Sequence, residues 1–170
     1  MREIGAEDYN GIAEEHTRCV CGVFAPLPPV INRTNPLKIL LVDDETYMRV
    51  FVGQALRVSI NCTLSEARDG QEAVEVCQVS APDLIILDIH MPRMDGVTAL
   101  GKIRQLKPDT PIVMLTSASE EAVVESCVKQ GASFFIRKDV RAGLLRAELE
   151  SMLQQFFPEE KAPNEQARTT

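Results

Sequence analysis

An α/β fold, a doubly wound five-stranded parallel sheet with helices on both faces, is predicted by three features of the sequence. Apolar runs of strand length alternate five times with segments of helical periodicity between residues 36 and 157. The central runs are apolar at every position, as in strands covered on both faces. Residues with chemistry to offer stand where these runs stop, at the edge where open parallel sheets receive ligands.

The first run, Lys38 to Val42, is a buried strand and is followed at once by Asp43, Asp44 and Glu45. A helix follows from about Thr46 to Val58, with Met48, Phe51, Val52, Ala55 and Leu56 at spacings of three and four. Acids suit the start of a helix, which accounts for Glu45 but poorly for Asp43. The second strand spans Asn61 to Ala67. Asp69-Gly70 turns it into a helix from about Gln71 to Val79, with Ala73, Val74 and Cys77 on one face and Ala81-Pro82 behind it. The third strand, 83 to 88, ends on the lone carboxylate of Asp88, after which Met91-Pro92 and Asp95-Gly96 turn the chain. A helix from about Val97 to Leu106 leads through Lys107-Pro108-Asp109 to the fourth strand, Pro111 to Leu115, which ends at Thr116-Ser117. The next helix, about Glu120 to Gln130, closes at Gly131. The fifth strand, Ser133 to Ile136, ends at Arg137-Lys138. A last helix from about Val140 to Phe157 carries Leu145, Leu149, Met152, Leu153 and Phe156 as its apolar stripe.

Residues 1–35 stand apart as an extension expected to be flexible, ending in Pro26, Pro28, Pro29 and Asn32-Arg33-Thr34-Asn35-Pro36. A short helix is expected from Tyr9 to His16. His16, Cys19 and Cys21 have ligand chemistry but lack the fourth donor of a zinc site, so a loosely docked extension is the better reading. The tail 158–170 is polar and expected to be disordered.

Composition narrows the function. The chain has 170 residues, 45% hydrophobic and 25% charged, which is the globular class and enough for a core without staples. Its net charge of -7 disfavours direct nucleic-acid binding. No apolar run has membrane-spanning length, and the acidic first twenty residues are unlike a targeting leader. Five cysteines without framework spacing favour the reducing cytoplasm. Cys62, Cys77 and Cys127 read as small buried apolar residues.

In a parallel sheet Asp43, Asp44, Asp88, Thr116 and Lys138 share one edge. The carboxylates suit a hard divalent cation, and Mg2+ leaves room for water and phosphate oxygens. The matching chemistry is attack of the Asp88 carboxylate on phosphorus. Mg2+ on Asp44 and Asp88 would neutralise phosphoryl oxygens, with Thr116 donating a hydrogen bond and Lys138 pairing with another oxygen.

The chain resembles the receiver domain of two-component response regulators over about residues 36–157, a flavodoxin-like fold. The resemblance rests on Asp43-Asp44, on Asp88 with Met91-Pro92-Arg93-Met94-Asp95-Gly96, on Thr116, and on Phe135 before Lys138. The spacings agree: 45 residues from 43 to 88, 28 from 88 to 116 and 22 from 116 to 138. The resemblance implies that Asp88 accepts a phosphoryl group from a phosphohistidine of a sensor histidine kinase or histidine phosphotransfer protein. It implies Mg2+ held by Asp43, Asp44, Asp88 and the backbone carbonyl of His90. Thr116 and Phe135 would act as the switch, and a downstream partner would dock on the face of the fourth helix, fifth strand and last helix; a homodimer is a separate expectation, with no surface assigned to it. The chemistry is self-modification rather than turnover.

Three positions depart from the family. Asp139 follows Lys138 where proline is usual, so a trans bond is expected there with a displaced lysine or a shifted last helix. His90 and Ala118 occupy positions that tune acyl-phosphate lifetime in the family. The 13 residues after Phe157 are too few for an output domain. The alternative function is a receiver-like binding module that works without phosphate. A flavodoxin would need a Ser/Thr/Gly-rich loop after the first strand, and a haloacid-dehalogenase-type phosphatase would need Asp-x-Asp. The sequence Asp43-Asp44-Glu45-Thr46 supplies neither.

Overall fold

The computed structural model describes residues 35–117 and 121–158. The expected helix at Tyr9 to His16, the His16, Cys19 and Cys21 triplet, Ala118 and the tail from 159 lie outside the described residues. Five strands and five helices alternate in the order β1 (Leu37–Val42), α1 (Thr46–Ser59), β2 (Cys62–Ala67), α2 (Gly70–Val79), β3 (Leu84–Asp88), α3 (Gly96–Leu106), β4 (Ile112–Thr116), α4 (Glu121–Lys129), β5 (Phe134–Arg137) and α5 (Ala142–Phe156).

The strands form one parallel sheet in the order β2-β1-β3-β4-β5. Each β–helix–β connection passes over one face before the chain returns in the same direction. Leu37, Ile39, Leu41, Leu84, Ile86, Val113, Leu115 and Ile136 face α1 and α5. Leu40, Val42, Ile85, Leu87, Ile112 and Met114 face α2, α3 and Cys127 of α4. Every residue of β3 and β4 is buried, as their unbroken apolar runs require. β2 is one of the two edge strands, with Cys62 and Leu64 half-buried and Thr63, Ser65 and Glu66 exposed. Cys77 and Cys127 are buried as expected, whereas Cys62 is half-buried on the edge strand; none of the three is in a disulfide.

The element boundaries lie within one residue of the sequence reading almost everywhere. The clearest correction is α5, which starts at Ala142 rather than Val140. Residues 138–140 bend instead, and the Asp139 carboxylate accepts two hydrogen bonds from the Arg137 guanidinium at 3.1 and 2.9 Å. Helical bonding begins where the Leu144 and Leu145 N–H groups donate to Arg141 O. Gly131 adopts φ 89° just beyond α4, the left-handed closing turn that glycine takes without steric cost. No described helix is long and apolar enough to cross a membrane.

Candidate functional site

β1 and β3 are neighbours at the sheet centre, so Asp43 and Asp88 end adjacent strands. The strand order reverses direction here, which opens a crevice beyond the carboxyl ends. One carboxylate oxygen from each of Asp43, Asp44 and Asp88 lies within 4.8 Å of the other two. Asp43 and Asp88 are buried, at 0% and 1% exposure, while Asp44 is exposed. An exposed third carboxylate beside two buried ones leaves the cluster open on the solvent side.

Lys138 enters from the end of β5. Its Nζ lies 2.8 Å from Asp88 Oδ1 and 3.2 Å from Asp43 Oδ2. Of the two consequences expected from Asp139, the displaced lysine is therefore not found, whereas the shifted start of the last helix is. No described peptide bond is cis. Asp88 Oδ2 is buried with no hydrogen-bond partner among the described residues. A buried carboxylate oxygen without a donor is costly unless something cationic meets it.

The titration of the site follows from this crowding. Burial pushes the Asp88 carboxyl up to about 6, against the opposing hydrogen bond and charge of Lys138, with Asp43 adding to the rise. Burial also raises Asp43, held back by the Glu45 backbone N–H and by Lys138. Burial works against the Lys138 charge, but the two carboxylates outweigh it and raise its pKa.

The loop after β3 is built on backbone contacts. The Gly96 N–H donates to Ile89 O at 2.8 Å, and a Cβ at residue 96 would fall 1.9 Å from Asp88 O. Only glycine lets α3 begin this close to the strand end. Asp95 caps α3 by accepting from the Thr98 N–H at 2.8 Å, and that bond lowers its pKa. Arg93, inside the turn, takes φ 65°, an uncommon conformation for a side chain of its size. Its guanidinium pairs with the buried Asp69, whose other oxygen caps α2 through the Gln71 and Glu72 N–H groups.

Asp43, Asp44, Asp88 and Lys138 are thus brought into one cluster. His90 is exposed at the start of the loop, two residues from Asp88. Thr116 is buried at the end of β4, and its hydroxyl donates to Ser117 O at 3.2 Å. The Lys138 N–H donates to Thr116 O at 2.9 Å, which ties the threonine to the lysine strand. Phe135 is half-buried against the core on the α3 and α4 side.

Sequence reasoning missed two site residues. Arg49 sits in α1 at 5% exposure and donates to the backbone carbonyls of Asp43 and Asp44 at 2.8 and 3.2 Å. The signal was a lone arginine among apolar positions of a helix face. Asp69 read only as a turn residue, and its pairing with Arg93 depends on two loops meeting.

The family model for the response regulator receiver domain matches residues 39–150. The chain belongs to the response regulator receiver family. This receiver is 36% identical over 105 residues to the chemotaxis protein CheY of Bacillus subtilis (strain 168), covering 62% of this chain and 88% of that protein. The receiver domain of sensor histidine kinase PA1611 from Pseudomonas aeruginosa PAO1, with a magnesium ion coordinated in its active site cleft, superimposes with a TM-score of 0.62. That match has 27% identity and covers 72% of this chain and 98% of that one. The CheX-CheY-BeF3-Mg+2 complex from Borrelia burgdorferi matches with a TM-score of 0.64 and 28% identity, covering 75% and 98% of the two chains. The fold is the flavodoxin-like receiver fold of two-component signalling proteins. Receiver domains bind Mg2+ in an acidic pocket, and the all-oxygen cluster of Asp43, Asp44 and Asp88 fits such an ion.

Proposed function

We propose that this receiver accepts a phosphoryl group on Asp88 from a phosphohistidine of a sensor histidine kinase or histidine phosphotransfer protein. The observation that carries the reading is Asp88 itself: a buried carboxylate held by Lys138 at 2.8 Å, with its second oxygen orphaned and two further carboxylates beside it. Asp88 attacks phosphorus, a new O–P bond forms, and the P–N bond to the donor imidazole breaks. The leaving imidazole nitrogen keeps the bonding electron pair. The acyl phosphate remains until water cleaves it, so the chemistry modifies the protein rather than turning over a substrate.

Asp43, Asp44, Asp88 and the His90 carbonyl would hold Mg2+, which would supply charge to offset the phosphoryl oxygens. Lys138 releases Asp88 and pairs with one phosphoryl oxygen. The Thr116 hydroxyl leaves Ser117 O and donates to another. Phe135, half-buried behind Thr116, turns inward as the threonine moves. α4 is suited to follow, because Cys127 is its one buried residue among the described side chains. The face formed by α4, β5 and α5 then binds a downstream protein, the chain can pair with a second copy of itself, and the receiver works in the cytoplasm without contacting nucleic acid.

The reading in which the fold binds partners without phosphate rests on the N-terminal extension, nearly all of which lies outside the described residues, and on Asp139 in place of proline. The Arg137 guanidinium takes up Asp139, and Lys138 still reaches both carboxylates, so that support is weak. Intact mass after incubation with Mg2+ and acetyl phosphate tests the proposal. One added phosphoryl group on the wild type and none on Asp88→Asn is the expected result. No adduct, and no response to beryllofluoride, would favour the phosphate-independent module.

A further inference from the structure

Arg49 presents a cost that α1 alone does not explain. It is a cation in the second turn of a helix, near the positive end of the dipole, and it is buried. A guanidinium withdrawn from water is destabilising unless its donors are all met. Glu45, the N-cap residue, makes no side-chain cap hydrogen bond, and the first turn of α1 contains no acid. No acid in the first turn offsets the Arg49 charge, and a guanidinium, which only donates, cannot itself cap the free N–H groups there.

Its contacts indicate what it does. Helical side chains lean toward the N-terminus, which carries the guanidinium back over the β1–α1 turn. Nη1 donates to both Asp43 O and Asp44 O, Nη2 to Thr46 Oγ1 at 3.2 Å, and Nε to Glu66 Oε2 at 3.1 Å on the neighbouring strand β2. Consecutive residues of an extended strand send their side chains to opposite faces. For Asp43 and Asp44 to aim at one point, the backbone must leave strand geometry between them. Two successive carbonyls converging on a single nitrogen hold that departure in place.

We infer that Arg49 is a positioning residue for the metal and phosphoryl site, fixing the 43–44 backbone so that both carboxylates meet Asp88, with Glu66 anchoring the guanidinium from β2. The inference rests on the phosphoacceptor reading above. Lys138 contacts the carboxylates of Asp43 and Asp88 themselves; of Asp43 and Asp44, Arg49 contacts the main-chain carbonyls. Its effect is therefore on geometry and shows first in cation affinity.

The test is Mg2+ affinity of the full chain by titration calorimetry at pH 8 and low temperature, beside thermal midpoints without metal. The variants are Arg49→Ala, Arg49→Lys and Glu66→Gln, with Leu56→Ala as a control. Leu56 is buried at 0% in the same helix, away from the turn, so its loss destabilises α1 without touching the site. Arg49→Ala is expected to weaken Mg2+ binding by about tenfold or more, the scale of supporting contacts around metal ligands. Arg49→Lys, which keeps the charge but not the forked donors, and Glu66→Gln should fall between it and the wild type. Leu56→Ala should lower the midpoint while leaving Mg2+ affinity within about twofold of the wild type. Equal affinity in wild type and Arg49→Ala overturns the inference, as does equal weakening by Leu56→Ala. Should Arg49→Ala not fold, unchanged affinity in both Arg49→Lys and Glu66→Gln overturns it. A wild type that binds no Mg2+ overturns the phosphoacceptor reading itself, and the positioning role with it.

Discussion

Asp88 is destabilising in the metal-free protein, and its titration makes that measurable. Its folded pKa of about 6 lies above its ordinary value of 3.8. The folded state therefore holds the proton more tightly, and the stability this confers is complete below 3.8 and lost as pH rises through 6. At pH 7.5 the ionised, buried carboxylate costs up to about 3 kcal/mol. Asp88→Asn is expected to stabilise the metal-free protein by about 2 kcal/mol at pH 7.5, with the gain shrinking toward pH 4.5. Urea unfolding of both proteins in a chelator at the two pH values checks this. The same titration sets proton against cation, so Mg2+ affinity should fall as pH drops through about 6. Lys138→Met leaves both acids without their ammonium. A loss of about 2–3 kcal/mol at pH 7.5 is expected, smaller at pH 5 where Asp88 takes up its proton, and partly restored by Mg2+. Unchanged unfolding midpoints would mean that the 2.8 and 3.2 Å contacts do not persist in solution.

Elements were legible where one local pattern sufficed. β3 and β4 are unbroken apolar runs, and α2 shows Ala73, Val74 and Cys77 on one face, which are its buried face in the structure. For α5 a shift was legible from Asp139 but the starting residue was not, because Val140 has the composition of a helix while Asp139 bonds to Arg137 instead of capping one. The helices also differ in anchorage. α1 buries seven residues, whereas α4 has Cys127 as its one buried described side chain and exposes Val128. Amide exchange should therefore show α4 opening at far lower free energy than β1, β3 and α1, which should exchange only by global unfolding. Equal protection of α4 and α1 would contradict the switch role proposed for the α4 face.

The whole molecule couples this site to global stability. A cation that binds only the folded chain stabilises it by about 1.4 kcal/mol at ten times its dissociation constant. Mg2+ should raise the thermal midpoint of the wild type, and the gain should disappear in a variant lacking Asp43 and Asp44. The sequence by itself determined the alternation of strands and helices, the acids at the ends of β1 and β3, and the lysine at the end of β5, because these follow from local periodicity and from the common edge of a parallel sheet. The order β2-β1-β3-β4-β5 then turned a list of strand ends into a cluster 4.8 Å across. Only the tertiary structure decided that Arg49 bridges β1 and β2, that Arg93 pairs with Asp69, that α3 starts against the Asp88 backbone, and that Lys138 reaches Asp88 with Asp139 behind it. Most of these contacts join residues far apart along the chain, and the others depend on how a loop or a helix start turns. Neither leaves a trace in a local pattern of apolar and polar residues.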